Sequence, residues 1–92
     1  MYTSDEQILK LPSILISKGI IETTGQFYEE TGIQKALFSN VKNQHKYDRS
    51  FHFTPEQIEK VCLLYGIDFN WVFGASEDVF INTKLTKSKQ IS

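Results

Sequence analysis

The chain has 92 residues, of which 40% are hydrophobic and 23% charged, and its formal net charge is −1. This length and composition indicate one globular domain with a single modest core, not a disordered or strongly basic protein. The only cysteine is Cys62, so an internal disulfide is excluded and a reducing cytoplasm is the expected location. The N-terminus has no basic start followed by an apolar run, so we expect no signal peptide. No stretch reaches the roughly 20 apolar residues of a membrane-spanning helix.

Charge is unevenly distributed along the chain. Segment 42–53 holds three basic residues, Lys42, Lys46 and Arg49, against a single acid, and the last ten residues hold three lysines and no acid. A chain that is close to neutral overall can still present a basic face to a partner. Net charge therefore excludes a strongly basic protein but not a basic surface.

The first predicted helix follows Ser4 and Gln7, which have the spacing of a capping box. Pro12 interrupts its apolar stripe. Because proline removes a backbone donor, we expect either a kinked helix or a short turn followed by a helix that begins at Pro12. Gly19 ends this helix. The apolar stripe consists of Ile8, Leu9, Leu11, Leu15 and Ile16.

The second predicted helix is short and runs from about residue 24 to residue 31. Thr23 and Gln26 again have capping-box spacing at its start, and Gly32 ends it. Phe27 is its main buried residue. A helix of this length needs neighbours to be stable.

The third predicted helix, over about 34–43, follows almost at once. It turns Leu37, Phe38 and Val41 towards one side, whereas its small and polar residues fall largely on the other. The stretch from there to Thr54 has little periodicity and is predicted to be a polar loop.

The fourth helix has the clearest start in the chain, with Thr54 as its cap, Pro55 in the first helical position and Gln57 completing the box. Gly66 closes it. Its apolar positions follow a helical period and are Ile58, Val61, Cys62 and Tyr65.

Asp68 caps a fifth, short helix that Gly74 ends. Its apolar residues are Phe69, Trp71, Val72 and Phe73, and the three aromatic ones are predicted to be core. Five short helices and no convincing pair of strands make the predicted fold all-α. We expect a domain over residues 1–80 and a polar, flexible tail over residues 81–92.

Two blocks of the chain resemble the lambda-repressor and Cro-like helix-turn-helix family, also called the xenobiotic-response-element family. The first, TTGQFYEETGIQKALFSNVKN, starts at Thr23 and has the short capped helix, the glycine turn and the immediate second helix of that motif. The second, IDFNWVFGASEDVF, is similar to an ending common in prophage-type members. Residues that match the apolar anchors and the turn are Phe27, Gly32, Ile33, Phe38 and Val41.

The resemblance covers about residues 8–80 and implies a lambda-repressor-like DNA-binding domain with its helix-turn-helix at about 24–43. The chain departs from the family at Tyr28, which stands where the family usually has alanine, and at Gln44, which replaces a common glycine. The loop up to Thr54 is also longer than usual. These departures bear on how the motif would sit on DNA.

The function that the resemblance implies is sequence-specific binding of double-stranded DNA. The protein would be a transcriptional regulator, of the phage or prophage repressor type, in the cytoplasm of a bacterial or phage-infected cell. It would bind a pseudo-palindromic operator as a homodimer. By position, the residues that would read bases are Gln34, Lys35, Ala36, Ser39 and Asn40. The residues expected to contact phosphate are Thr24, Lys42, Asn43, Lys46 and Arg49.

The side chains of the third helix suit this chemistry. Lys35 can donate to O6 and N7 of guanine, and Gln34 or Asn40 can pair with N6 and N7 of adenine. Ala36 can contact a thymine methyl group. Leu37 has three open interpretations, namely a core residue, a methyl contact in the groove, or part of a protein interface, and we expect partial burial.

The homodimer is implied by the family resemblance alone, and the sequence itself offers only candidate residues for the dimer contact. These are apolar residues of the loop and of the segment beyond the last helix: Phe51, Phe53, Val79, Phe80 and Ile81.

Other classes of function compete with this hypothesis. The polar face of the third helix could simply be solvated, or the protein could be an interaction module that kept the fold and lost DNA binding. His45, His52 and Cys62 lack the spacing of known zinc ligands, and Cys62 is predicted to be buried and inert. No catalytic constellation and no cofactor motif is recognisable, so we expect a protein that is not an enzyme and uses no cofactor.

Overall fold

Five α-helices build the part of the chain that the structure, a computed structural model, describes, which is residues 2–46 and 50–81. Within those residues there is no β-strand, and the prediction of an all-α fold with five helices is confirmed. The elements are α1 (Thr3–Ser17), α2 (Thr24–Thr31), α3 (Lys35–Lys42), a 3-10 turn (Gln44–Lys46), α4 (Pro55–Tyr65) and α5 (Phe69–Val72). Helix α1 packs against α2, α3 and α5, and α2 also packs against α4.

Helix α1 is one continuous helix that includes Pro12, so the alternative of a separate turn before Pro12 is wrong. Pro12 is buried beside Leu11 and Leu15, and burial of this apolar face offsets the cost of the missing backbone donor. The capping box at Ser4 is also wrong. Ser4 lies inside the first turn, and the Gln7 side-chain amide instead donates to the carbonyl of Trp71 at 3.0 Å.

Helix α1 ends at the predicted glycine. Gly19 has a φ of 75°, a left-handed conformation that residues with a Cβ rarely adopt. Its N–H donates to Ile16 O at 3.0 Å, and the N–H of Ile20 donates to Leu15 O at 2.9 Å. This pair of bonds is the Schellman arrangement that satisfies the last carbonyls of a helix.

Helix α2 has the predicted bounds and cap. Thr23 Oγ1 accepts from the N–H of Gln26 at 3.2 Å, but the Gln26 side chain accepts from the N–H of Glu22 instead of closing the box on Thr23. Gly32, with a φ of 77°, ends the helix and donates its N–H to Tyr28 O at 2.9 Å.

The remaining helices lie close to their predicted positions. Helix α3 is one residue shorter at each end than predicted. Helix α4 has both bonds of its capping box, at 3.1 Å to Thr54 Oγ1 and 2.9 Å to Gln57 Oε1. Asp68 caps α5 by accepting from the N–H of Asn70 at 2.8 Å. Beyond α5 the chain returns to form an isolated antiparallel bridge between Ile67 and Phe80.

The predicted tail lies outside the described residues except for Ile81. The N–H of Ile81 donates to Gly66 O at 2.9 Å.

One hydrophobic core joins all five helices. At its centre the Phe27 ring is fully buried, with its centroid about 6.0 Å from those of both Phe38 and Tyr65. Trp71 of α5 is buried as predicted, and Val72 is buried beside it, but Phe69 and Phe73 are exposed, so their assignment to the core is wrong. A helix of four residues buries only one side, so Phe69 faces solvent, and Phe73, which follows the helix, is exposed as well.

Cys62 is buried on the inner side of α4, as predicted. Burial, with a smaller contribution from the negative charge of Asp68, raises the pKa of its thiol to about 11. The thiol therefore stays protonated at neutral pH and acts as a small apolar core group.

The pKa of Glu30 should depend on two donors that meet its exposed carboxylate. Gln26 Nε2 donates to it at 2.8 Å and the Tyr65 hydroxyl donates at 2.7 Å. Both bonds lower the pKa of Glu30, and the bond from Gln26 has the larger effect. A lowered pKa in the folded state stabilises the fold above the ordinary pKa, and this contribution is lost as pH falls through the lowered value. We expect Gln26→Ala to raise the pKa of Glu30 more than Tyr65→Phe does, as measured by an NMR pH titration of its carboxyl carbon. An unchanged titration curve in both variants would contradict these bonds.

Candidate nucleic-acid interface

The outer side of α3 carries the residues that were predicted to read bases. Gln34, Lys35, Ala36 and Ser39 are exposed and Asn40 is half-buried, so all five side chains are accessible. On the opposite side, the predicted anchors Ile33, Phe38 and Val41 are buried. The helix is therefore attached to the core by one side and leaves its other side free for a partner.

The connection between α2 and α3 is fixed by a residue that sequence reasoning missed. Thr31 is buried, and its hydroxyl donates to Phe27 O at 2.7 Å and accepts from the N–H of Ile33 at 3.2 Å. Together with the left-handed Gly32, these bonds set the direction in which α3 begins. A threonine directly before a helix-ending glycine was the available signal, but on its own it is weak.

The residues predicted to contact phosphate are only partly accessible. Lys42 and Lys46 are exposed, and Thr24 is half-buried at the start of α2. Asn43 is half-buried and its Nδ2 donates to Ser39 O at 3.1 Å, so this amide is already engaged within α3. Arg49 lies outside the described residues.

Five of the predicted contact residues line one concavity of about 310 Å³ between α1, α2 and α3. They are Thr24, Lys35, Ser39, Lys42 and Asn43. The other residues of the lining are Leu9, Pro12, Ser13, Tyr28 and Phe38. The other described contact residues, Gln34, Ala36, Asn40 and Lys46, lie outside this concavity.

Tyr28 fits between α2 and α3 by an edge-on contact. Its ring lies 5.4 Å from that of Phe38, centroid to centroid, at an interplanar angle of 70°. Burial raises the pKa of Tyr28, so its hydroxyl stays protonated at neutral pH. The side chain is half-buried and forms part of the concave wall. Leu37 is half-buried against the core, which confirms the expected partial burial.

The segment after α3 is held by two side chains whose roles sequence reasoning missed. Gln44 Nε2 donates to Val41 O at 3.0 Å and to Phe51 O at 3.1 Å, and so closes the loop onto α3. Farther along, the buried carboxylate of Asp5 accepts from the N–H of Phe53 at 3.0 Å and lies 2.7 Å from His52 Nδ1. Phe53 is thus a core residue, and its prediction as a dimer contact is wrong.

Searches of family models, curated proteins and solved structures found no match to this chain. Among the described residues, no group of three or more histidine, cysteine, aspartate or glutamate side chains could hold a metal ion. In residues 2–46 and 50–81, no helix has the length and apolar character required to cross a membrane.

Proposed function

We propose that this protein is a sequence-specific DNA-binding regulator in which α2 and α3 form a helix-turn-helix of the lambda-repressor type. The observation that carries the proposal is that α3 has one buried, apolar side and one accessible side with polar and small residues. Its inner side is anchored by Ile33, Phe38 and Val41, and its outer side presents donor, acceptor and small side chains. A helix anchored in this way can enter the major groove without disturbing the core. A repressor of phage or prophage origin is the form of regulator that the family resemblance supports.

Direct readout comes from the start of α3. The Lys35 ammonium is suited to O6 and N7 of guanine, the Gln34 or Asn40 amide to adenine, and the Ala36 methyl group to thymine. In residues 2–46 and 50–81, no acidic side chain forms an ion pair with Lys35 or Lys42. Binding of either lysine to DNA therefore breaks no ion pair within these residues.

Phosphate contacts come from the flanks of this helix. Thr24 lies at the start of α2, where backbone N–H groups favour an anion, and Lys42 and Lys46 follow at the end of α3 and in the 3-10 turn. Such contacts fix the position of the protein on the duplex but carry no sequence information.

A homodimer on a pseudo-palindrome belongs to the proposal, with half-site centres about 34 Å apart. Of the apolar residues suggested as dimer contacts, Ile81 is 51% exposed, and Phe51, Val79 and Phe80 are half-buried. These four residues stay candidates for the dimer interface.

Lys35→Ala should weaken binding to a selected operator by about 1–3 kcal/mol and relax the preference at one base position. Lys46→Ala should weaken selected and random duplexes alike and reduce the slope of log affinity against log salt by about 0.9. Both effects are measured by fluorescence anisotropy with duplexes recovered from a random pool.

Lys10→Ala is the matched control, because Lys10 is exposed on the side of α1 where Gln7 bonds to Trp71. Its affinity for both duplexes should equal that of the unmodified protein. If Lys35→Ala and Lys46→Ala weaken every duplex equally, Lys35 is not a base-reading residue.

A protein-interaction module on the same fold is the second candidate function. It is favoured by the apolar side chains that α4, α5 and the residue after α5 expose, of which Leu63 is 74% and Phe73 58% exposed. The two functions differ in their response to salt. Failure to bind a random duplex even at low salt would favour the interaction module over the DNA-binding regulator.

A further inference from the structure

The concavity between α1, α2 and α3 has the charge of an anion-binding site. Its charged lining residues are Lys35 and Lys42, and no acidic side chain of the described chain lines it. Neither lysine forms an ion pair with an acid of the described chain. Three hydroxyl-bearing residues, Ser13, Thr24 and Ser39, also line it, one from each helix. Two cationic residues that line one concavity, neither in an ion pair within residues 2–46 and 50–81, favour a ligand with a negatively charged group.

The same concavity also has an apolar wall. Leu9 and Pro12 of α1, Tyr28 of α2 and Phe38 of α3 line it together with the lysines. Its volume of about 310 Å³ lies at the lower end of the range for small-molecule sites, roughly 300–1,000 Å³. This is room for a single aromatic ring with a charged group, and an isolated phosphate would leave the apolar wall without a contact.

We propose that this concavity binds a small molecule that joins an anionic group to an aromatic ring, and that the bound molecule excludes DNA. The anionic group lies between Lys35 and Lys42, and the ring packs against Leu9 and Tyr28. Because Lys35, Ser39 and Lys42 are also predicted DNA contacts, one residue set cannot hold both ligands. The ligand site is inferred from the concavity alone and does not require DNA binding, whereas the exclusion of DNA rests on the proposed function.

Binding is tested without DNA by NMR titration of the backbone amides of the full chain. The probes are phenyl phosphate, inorganic phosphate and phenol, which carry both parts of the ligand, only the anion, and only the ring. We expect phenyl phosphate to bind at least about tenfold more tightly than either partial probe, because each part contributes separately. The amide shifts should concentrate at Ser13, Thr24, Lys35, Ser39 and Lys42.

Two variants and two controls locate the site. Lys42→Gln removes one cation and should weaken phenyl phosphate about tenfold. Ser13→Trp fills the concavity from the exposed side of α1 and should abolish the shifts. The controls Lys10→Gln and Ser17→Trp change exposed residues of α1 that do not line the concavity, and they should keep the original affinity.

The outcomes separate this proposal from the proposed function. Equal binding of inorganic and phenyl phosphate would overturn it, since the concavity would then be a site for a bare anion such as a duplex phosphate. Absence of shifts at about 10 mM phenyl phosphate would also overturn it.

A labelled duplex is used only in a second step. If the chain binds duplex and phenyl phosphate displaces it, the exclusion of DNA is supported, whereas simultaneous binding of both overturns the exclusion. If the chain binds phenyl phosphate but no duplex, the proposed function and the exclusion fail together, and the ligand site stands.

Discussion

Phe27→Ala is expected to lower the free energy of unfolding by about 4 kcal/mol. The ring is fully buried and contacts the rings of Tyr28, Phe38 and Tyr65, so its removal leaves a cavity where α2, α3 and α4 meet. A domain of this size has only about 5–15 kcal/mol of stability, so the variant should be close to unfolded. Denaturant titration followed by circular dichroism measures the effect.

Phe73→Ala is the matched control, because the same substitution is made on a ring that is 58% exposed. Its effect should be within about 0.5 kcal/mol. The described packing would be in error if Phe27→Ala and Phe73→Ala changed the unfolding midpoint by the same amount.

Asp5→Ala is expected to destabilise the fold by about 3 kcal/mol. The substitution removes the acceptor of the Phe53 N–H and leaves that donor buried without a partner. It also removes the contact of Asp5 with His52, whose ring stacks on Tyr2 at a centroid distance of 4.0 Å. Thermal and denaturant unfolding both report the loss.

Two further variants separate the contributions. Asp5→Asn keeps an oxygen acceptor for the Phe53 N–H and should lose less stability than Asp5→Ala. His52→Ala leaves the Phe53 bond intact and, since His52 is one-third exposed, should cost about 1 kcal/mol. Because Asp5→Ala removes both contacts, an equal loss from His52→Ala would show that the bond from the Phe53 N–H contributes little.

Features that depend on neighbouring residues could be predicted from the sequence. The Thr54 and Gln57 pair predicted the start of α4, and the glycines predicted the ends of α1, α2 and α4, because caps and left-handed turns are decided within a few residues. The same local pattern was misleading at Ser4. The side-chain oxygen of Gln7 accepts from Lys10 Nζ, and its side-chain N–H donates to Trp71 O of α5, a contact that no local pattern contains.

Features that depend on distant contacts could not be predicted. Asp5 resembles a surface acid in the sequence, and only the fold brings it to Phe53. The accessible side of α3 was predicted, because helical periodicity separates its two sides. The concavity beside it was not, since its wall needs Leu9 and Pro12 of α1, whose distance from α3 no local pattern encodes.

The bond between Asp5 and Phe53 joins residues 48 positions apart and thereby encloses both α2 and α3 in one loop of the chain. The Phe53 N–H can exchange with solvent only after its bond to Asp5 of α1 has opened. Its hydrogen-exchange rate therefore measures how often the contact between α1 and the segment at Phe53 opens. Since α1 packs against both α2 and α3, the same amide reports how rigidly the candidate interface is supported.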